Sequence, residues 1–280
     1  MASSASAVVT VSESHTFPCV PLPGPGDCQG GFTATLTPTC PEGTQVIAGG
    51  FRFDALRVAV AVYESRRISN RAWRVSGFED DTRAHGDFQA FAYCARKPGK
   101  IRERAATVDL TGARGTSGTA TTHCPRGTQV ISGGWSGTPA SYIGGSLLRE
   151  SGRAPKRGWR VGGVKINALG IHPKLTAHAY CAKTKALRGA IGAAFVAAPP
   201  IGRLRNGGAV ESGGCRVRKF AGGGFQLAPY HSILARISEL RLIEGGRWRT
   251  AAVTYRPPPG NVLFGLPVPD WNLTALAYCG

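Results

Sequence analysis

The phrase Cys40-Pro41-Glu42-Gly43-Thr44-Gln45-Val46-Ile47-Ala48-Gly49-Gly50-Phe51 returns as Cys124-Pro125-Arg126-Gly127-Thr128-Gln129-Val130-Ile131-Ser132-Gly133-Gly134-Trp135, and a faded third copy runs from Cys215 to Gly223-Gly224-Phe225. Steps of 84 and 91 residues separate the three cysteines. Self-similarity of this kind marks one supersecondary unit used three times, and it must be recognised before any other assignment. Later landmarks recur with it. Glu64, Glu150 and Glu239 each stand nine residues before Trp73, Trp159 and Trp248, and Arg74, Arg160 and Arg249 follow those tryptophans directly. The copies close on Ala90-Phe91-Ala92-Tyr93-Cys94, Ala177-His178-Ala179-Tyr180-Cys181 and Ala275-Leu276-Ala277-Tyr278-Cys279. The repeats are therefore bounded as 8–100, 104–186 and 189–280.

Periodicity decides the class. Val58, Val60 and Val62 alternate as in a strand, residues 8–12 and 106–110 open their repeats in the same way, and 39 glycines with 19 prolines call for many turns. The expectation is all-β: three tandem, disulfide-stapled antiparallel units in a pseudo-threefold arrangement, with a single β-prism-like body as the alternative. Cys-Pro-x-Gly reads as a turn, Thr-Gln-Val-Ile as a strand start, and Gly-Gly as a bulge or a point where another backbone comes too close for a Cβ. A phosphate cradle needs a following helix and a Lys-Ser or Lys-Thr pair, and the sequence has neither. The Glu-to-Trp segment reads as a hairpin with a basic tip, its Trp against the sheet and its Glu opposite a cross-strand Arg. The third repeat, which loses the Pro, Gly and Thr after Cys215, reads as a cap or as the copy specialised for a partner.

Eight cysteines without a C-x-x-C couple favour disulfides over zinc, and with them an oxidising compartment. One pair per repeat joins the opening phrase to the closing strand, which gives Cys40–Cys94, Cys124–Cys181 and Cys215–Cys279. The remaining pair, Cys19–Cys28, staples a Pro- and Gly-rich loop peculiar to the first repeat. The longest apolar run, 189–200, is too short to span a membrane and is interrupted by Gly192. Residues 1–7 carry no basic or apolar signal-peptide segment, so the sequence reads as a secreted chain without its leader.

The net charge of +18 is uneven: ten basic and nine acidic residues in 1–100, fourteen and three in 101–188, ten and four in 189–280. Such an excess attracts polyanions, and Arg beside Trp supplies cation and stacking surface together. Against this, 26 of the 34 basic residues are Arg, as a GC-rich genome writes by codon bias alone. Arg157, Trp159, Arg160, Arg247, Trp248 and Arg249 are the candidate ligand-binding residues. The partners this implies are an anionic polysaccharide, a cell-surface glycan or another protein; nucleic acid is disfavoured by the cysteine pattern.

No catalytic set emerges, because the six histidines fall at unrelated repeat positions and His178 merely replaces Phe91 and Leu276 of its siblings. Ser65 and Ser151 lack a recurrent histidine. Glu79, Asp80, Asp81 and Asp87 are the one cluster of hard oxygen ligands, without the spacing of a calcium loop. No cofactor is expected. Asn272-Leu273-Thr274 matches a glycosylation sequon.

Taken together, Cys40, Pro41, Gly43, Gly49, Gly50, Trp73, Tyr93, Cys94 and their counterparts in the second repeat give a pattern that resembles the secreted repeat modules of actinobacteria and related bacteria. The resemblance spans nearly the whole chain. It implies small disulfide-linked β units, some of which follow collagen-like stalks and trimerise, so that three fused copies would form a pseudo-threefold body from one chain. It brings no activity with it. The functional expectation is a secreted, non-catalytic binding or adhesion protein that recognises an anionic polymer or cell-surface glycan through its basic hairpins. A structural subunit of an extracellular assembly is the first alternative. A secreted hydrolase using Glu64, Glu150 or Glu239 is the second.

Overall fold

The computed structural model describes residues 8–17, 31–53, 60–79, 86–96, 99–139, 145–166, 172–183, 196–197, 207–212, 220–228, 235–254 and 272–279. The fold is all-β. Repeat 1 supplies β1 (Val9–Thr16), β2 (Thr33–Leu36), β3 (Thr44–Phe53), β4 (Val60–Arg67), β5 (Trp73–Glu79) and β6 (Asp87–Arg96). Repeat 2 supplies β7 (Arg102–Asp109), β8 (Ser117–His123), β9 (Gln129–Gly137), β10 (Ser146–Ala154), β11 (Gly158–Lys165) and β12 (Lys174–Ala182). Repeat 3 supplies β13 (Val196–Ala197), β14 (Gly207–Glu211), β15 (Phe220–Ala228), β16 (Ala235–Ile243), β17 (Arg247–Thr254) and β18 (Asn272–Cys279).

These strands form three six-stranded antiparallel sheets ordered β1-β6-β3-β16-β17-β14, β2-β5-β4-β9-β12-β7 and β13-β18-β15-β10-β11-β8. Each sheet joins the first, sixth and third strands of one repeat to the fourth, fifth and second strands of another. Repeat 3 lends its half-sheet to repeat 1, repeat 1 to repeat 2, and repeat 2 to repeat 3. No sheet belongs to a single repeat, so the three units interlock through exchanged half-sheets. One continuous cluster of buried apolar side chains, drawn from all three repeats, fills the space between the sheets.

The recurring phrase explains how the half-sheets join. Each seam has only two register pairs: Glu239 with Arg52 and Leu240 with Phe51, Glu64 with Ser136 and Ser65 with Trp135, Glu150 with Gln226 and Ser151 with Phe225. A Cβ on Gly50, Gly134 or Gly224 would lie 2.1, 2.3 or 2.2 Å from the carbonyl oxygen of Leu240, Ser65 or Ser151, so of the two readings of Gly-Gly, a bulge or a close backbone approach, the second glycine fits the close approach. The first glycine has another task. Gly49, Gly133 and Gly223 each leave room for the indole of their own repeat's tryptophan. The aromatic residue after the pair turns inward, where Trp135 meets Phe51 at 6.0 Å and Phe225 at 6.1 Å between ring centroids, both edge-on.

The closing tyrosines lock the same seams. Leu242 N–H donates to Tyr93 Oη at 2.8 Å, Arg67 N–H to Tyr180 Oη at 2.7 Å and Arg153 N–H to Tyr278 Oη at 2.8 Å, each bond crossing between repeats. Each tyrosine ring also meets the other repeat's tryptophan edge-on, Trp248, Trp73 and Trp159 respectively, at 5.5 to 5.7 Å. Alanines on the opposite face of the closing strands are fully buried and leave room for the disulfides. Cys40–Cys94 and Cys124–Cys181 form as expected, with Cα separations of 5.7 and 5.6 Å. By chain entropy each contributes on the order of 4 kcal/mol. The Cys19–Cys28 and Cys215–Cys279 pairings rest on Cys19, Cys28 and Cys215, which lie outside the described residues.

Candidate functional site

The basic hairpins are β4–β5, β10–β11 and β16–β17. Their tips share one end of the body: Val46 N–H donates to Asn70 O, tying the first tip to the start of β3; Leu242 of the third tip bonds Tyr93, the neighbour of the Cys94 that pairs with Val46; and Cys124 N–H donates to Arg157 O of the second tip, Cys124 being bridged to Cys181 beside the Tyr180 that accepts from Arg67 of the first. The second tip is the most unusual. Gly158 N–H closes a turn on Pro155 O, and Lys156 and Arg157 sit at its centre with φ of 55° and 60°. That is the mirror-image turn of tight hairpins, which Asn-Gly adopts cheaply and long side chains do not. Two adjacent cations therefore stand at the end of the protein in a backbone conformation that costs energy.

The indoles do not join them. Trp159 and Trp248 are each only 1% exposed, packed over Gly133 and Gly223, and neither can stack on a ligand. Their place in the candidate binding set is corrected: they are core residues, pressed inward because the glycine beneath them is the only residue that admits an indole. The arginines are partly neutralised. Arg160 pairs with Glu150 at 2.9 Å, while Arg247 and Arg249 pair with Glu211 at 2.6 and 3.2 Å, and Arg249 also reaches Glu239. Thr10, Arg241, Leu242, Ile243, Glu244 and Arg247 line an open cleft of about 560 Å³ beside the third tip.

The three repeated glutamates serve the fold. Glu64 accepts from Arg66 Nε at 2.6 Å, from Arg74 at 2.8 Å and from Ser76 Oγ at 3.0 Å; burial raises its pKa, but these donors outweigh burial and hold it below the ordinary carboxylate value. Glu239 is likewise paired with two arginines, Arg241 and Arg249. The three carboxylates lie in three different sheets, each engaged by arginine, so the proposed acids of a hydrolase are not assembled at one site. Of the metal candidates, Asp80 and Asp81 lie outside the described residues, Glu79 is buried at the end of β5, and the exposed Asp87 accepts from Thr16 Oγ1 at 2.6 Å. Among the described residues no group of three or more ligating side chains converges, and no helix is long and apolar enough to cross a membrane.

A different constellation appears on the sheet shared by repeats 1 and 2. Trp135 turns into the core, so the next residue, Ser136, turns outward from β9. Its Oγ lies 3.0 Å from His178 Nε2 on β12, and His178 Nδ1 lies 2.6 Å from Glu103 Oε1 on the edge strand β7. The register explains the meeting. Ser136 lies opposite Thr176, two residues from His178, and Glu103 lies opposite Tyr180, two residues beyond it, so the three side chains run diagonally across adjacent strands. Ser136 is half-buried, His178 buried and Glu103 exposed. The His178 hydrogen bond, opposed by burial and aided by the charges of His178, Arg66 and Arg67, holds the Glu103 carboxyl below its ordinary value. The row continues beyond Ser136, whose seam partner Glu64 bonds Ser76, which in turn meets Thr35 at 3.0 Å. His178, read from sequence as a replacement for an apolar sibling, is thus the centre of a polar row. The signal that finds it is a joint departure: Ser136 stands where its siblings carry Arg52 and Gln226, in the same repeat where His178 replaces Phe91 and Leu276.

No protein-family model matches the chain, and no curated protein matches it.

Proposed function

We propose that the protein is a secreted binding protein that engages an anionic polymer or cell-surface glycan through the end of the body carrying its hairpin tips. The observation that supports this is the Lys156-Arg157 turn, where two cations occupy left-handed backbone positions that Asn-Gly fills at lower cost. Strain of this kind is stored where a site uses it. The disulfides Cys40–Cys94 and Cys124–Cys181 support an oxidising, extracellular setting. The net charge of +18 supports an anionic target. Arg157 and Arg160 contribute from the second tip and Arg247 and Arg249 from the third, with guanidinium charge rather than indole stacking.

The test is a salt titration of binding to dextran sulfate. Binding is expected to weaken steeply as salt rises. The paired change Lys156→Asn, Arg157→Gly separates recognition from folding, because it installs the preferred turn while removing both charges. Thermal stability is expected to hold or rise while affinity falls. Absence of binding at low salt, or affinity unchanged in the double variant, overturns the reading.

A further inference from the structure

We propose that Ser136, His178 and Glu103 form a nucleophilic site that accepts acyl groups, giving the protein an ester-hydrolysing activity on the outer face of the sheet shared by repeats 1 and 2. The inference stands apart from polyanion binding. Three observations carry it.

The first is the order of contacts. Ser136 Oγ reaches Nε2 and Glu103 reaches Nδ1 of the same imidazole, at 3.0 and 2.6 Å. With the carboxylate accepting from Nδ1–H, the ring presents the Nε2 lone pair to the serine hydroxyl, the arrangement in which an imidazole acts as base toward a nucleophile.

The second is that the fold asks for none of these residues. In the sheet of repeats 1 and 3, Arg52, Phe91 and Thr10 occupy the corresponding register positions, and Gln226 and Leu276 correspond in repeat 3. A hydrophobic residue serves in place of the histidine in both siblings. The three polar groups occur together in one sheet of three, on strands fixed by pairing on both sides of β12.

The third is the setting. Gly134 lies directly opposite His178, and the Cα and Cβ of Arg66 come within 3.0 and 3.2 Å of where a Gly134 Cβ would stand. Arg66 therefore runs beside the serine–histidine pair, fixed by its Nε bond to Glu64. Its guanidinium, bonded to the Glu64 that lies opposite Ser136, and the Arg67 charge both act on the Glu103 carboxylate, so positive charge surrounds the place where an oxyanion would develop.

Ser136 Oγ attacks the ester carbonyl carbon while its proton passes to His178 Nε2. The tetrahedral species collapses, the carbon–oxygen bond to the alcohol breaks, and the alcohol leaves with the proton from Nε2. Water then attacks acyl-Ser136, giving its proton to Nε2, and the carboxylic acid departs as that proton returns to Ser136 Oγ. Glu103 orients the ring and offsets its charge as a positioning residue. The outward-facing serine suits short acyl esters presented on an accessible chain or small molecule.

The experiment is covalent labelling of the intact protein with a fluorophosphonate, mapped by peptide mass spectrometry, alongside hydrolysis of p-nitrophenyl acetate. Label is expected on Ser136 and is expected to vanish in Ser136→Ala. His178→Phe installs the residue found in repeat 1 and is expected to slow labelling by about 100-fold, the low end of what a general base supplies. Glu103→Thr likewise installs the repeat 1 residue; it is expected to slow labelling, and Glu103→Asp to restore part of the loss. Circular dichroism and thermal melts confirm that each variant is folded. Wild-type protein that stays unlabelled at Ser136 overturns the proposal. So does label at Ser136 whose rate is unchanged by His178→Phe, or ester hydrolysis that survives Ser136→Ala in full.

Discussion

Tyr180 Oη accepts the backbone N–H of Arg67 at 2.7 Å, and through that bond the closing strand of repeat 2 holds the hairpin of repeat 1. The strands β4 and β9 share only two register pairs, so beyond Ser65 the N–H of Arg67 has left the ladder, and the phenol supplies its acceptor. Burial drives the phenol pKa far upward, which keeps it neutral throughout the working range of a protein. Tyr180→Phe leaves a buried amide without that acceptor and is expected to cost about 1–3 kcal/mol. Tyr93→Phe and Tyr278→Phe, which remove the same bond at the other two seams, are expected to fall in the same range. Urea denaturation of the three variants measures this.

The two glycine classes in the repeated phrase are separable by alanine. Gly134→Ala places a Cβ 2.3 Å from the Ser65 carbonyl oxygen, a contact with backbone on a paired strand that has no rotamer to give. A loss of more than about 3 kcal/mol, or failure to fold, is expected, as for severe overpacking. Gly43→Ala meets nothing within 4 Å and suffers only from its φ of +76°. Its cost is expected to stay near 1 kcal/mol, set by the left-handed backbone. Equal losses in the two variants would show that the seam does not depend on close approach.

Several of these relationships are legible in the sequence. The repeats announce themselves through Cys-Pro-x-Gly, and period-two valines and alanines identify strands because alternation is geometric. The pairing of Glu64 with Arg74 follows from a hairpin whose arms are ten residues apart. Gly-Gly signals a close approach, yet it does not say which backbone approaches. That is why the exchange of half-sheets between repeats escapes a reading made one repeat at a time: Leu240 lies 190 residues from Gly50 and shares no local pattern with it. Likewise Trp beside Arg looks the same whether the indole faces a ligand or a glycine. Ser136, His178 and Glu103 meet only through the register of β7, β12 and β9, and no spacing in the chain encodes that diagonal.

Acid is expected to loosen the sheet shared by repeats 1 and 2. Glu64 and Glu103 face Arg66, Arg67, Arg74 and His178 across strands, and both carboxyls are held below the ordinary value of 4.5. A folded-state value lower than the unfolded one gives stabilisation that is present above pH 4.5 and lost as pH falls through the folded values. Melting temperature is expected to decline below pH 4.5. Glu64→Gln is expected to lower it at pH 7 and to flatten the acid limb. An acid limb identical in Glu64→Gln and wild type would assign the loss to other carboxylates.

An isolated second repeat, residues 101–183, tests the interlocked topology most directly. Alone it owns β9, β12 and β7 of one sheet and β10, β11 and β8 of another, and neither half is completed within the fragment. Every partner it lacks has a counterpart in its own sequence: Glu150 for Glu64 opposite Ser136, the Ser151 carbonyl for that of Ser65 against Gly134, and the Arg153 N–H for that of Arg67 on Tyr180. Three copies can therefore exchange half-sheets as the three repeats do within one chain, and a closed ring of identical seams is a cyclic trimer. Sedimentation equilibrium is expected to show unfolded monomer at low concentration giving way to folded trimer, with circular dichroism and mass changing together. Folding coupled to association makes the midpoint depend on concentration. A folded monomer would mean that one repeat can pair its own β9 with its own β10, and would remove the exchange as a requirement of the fold.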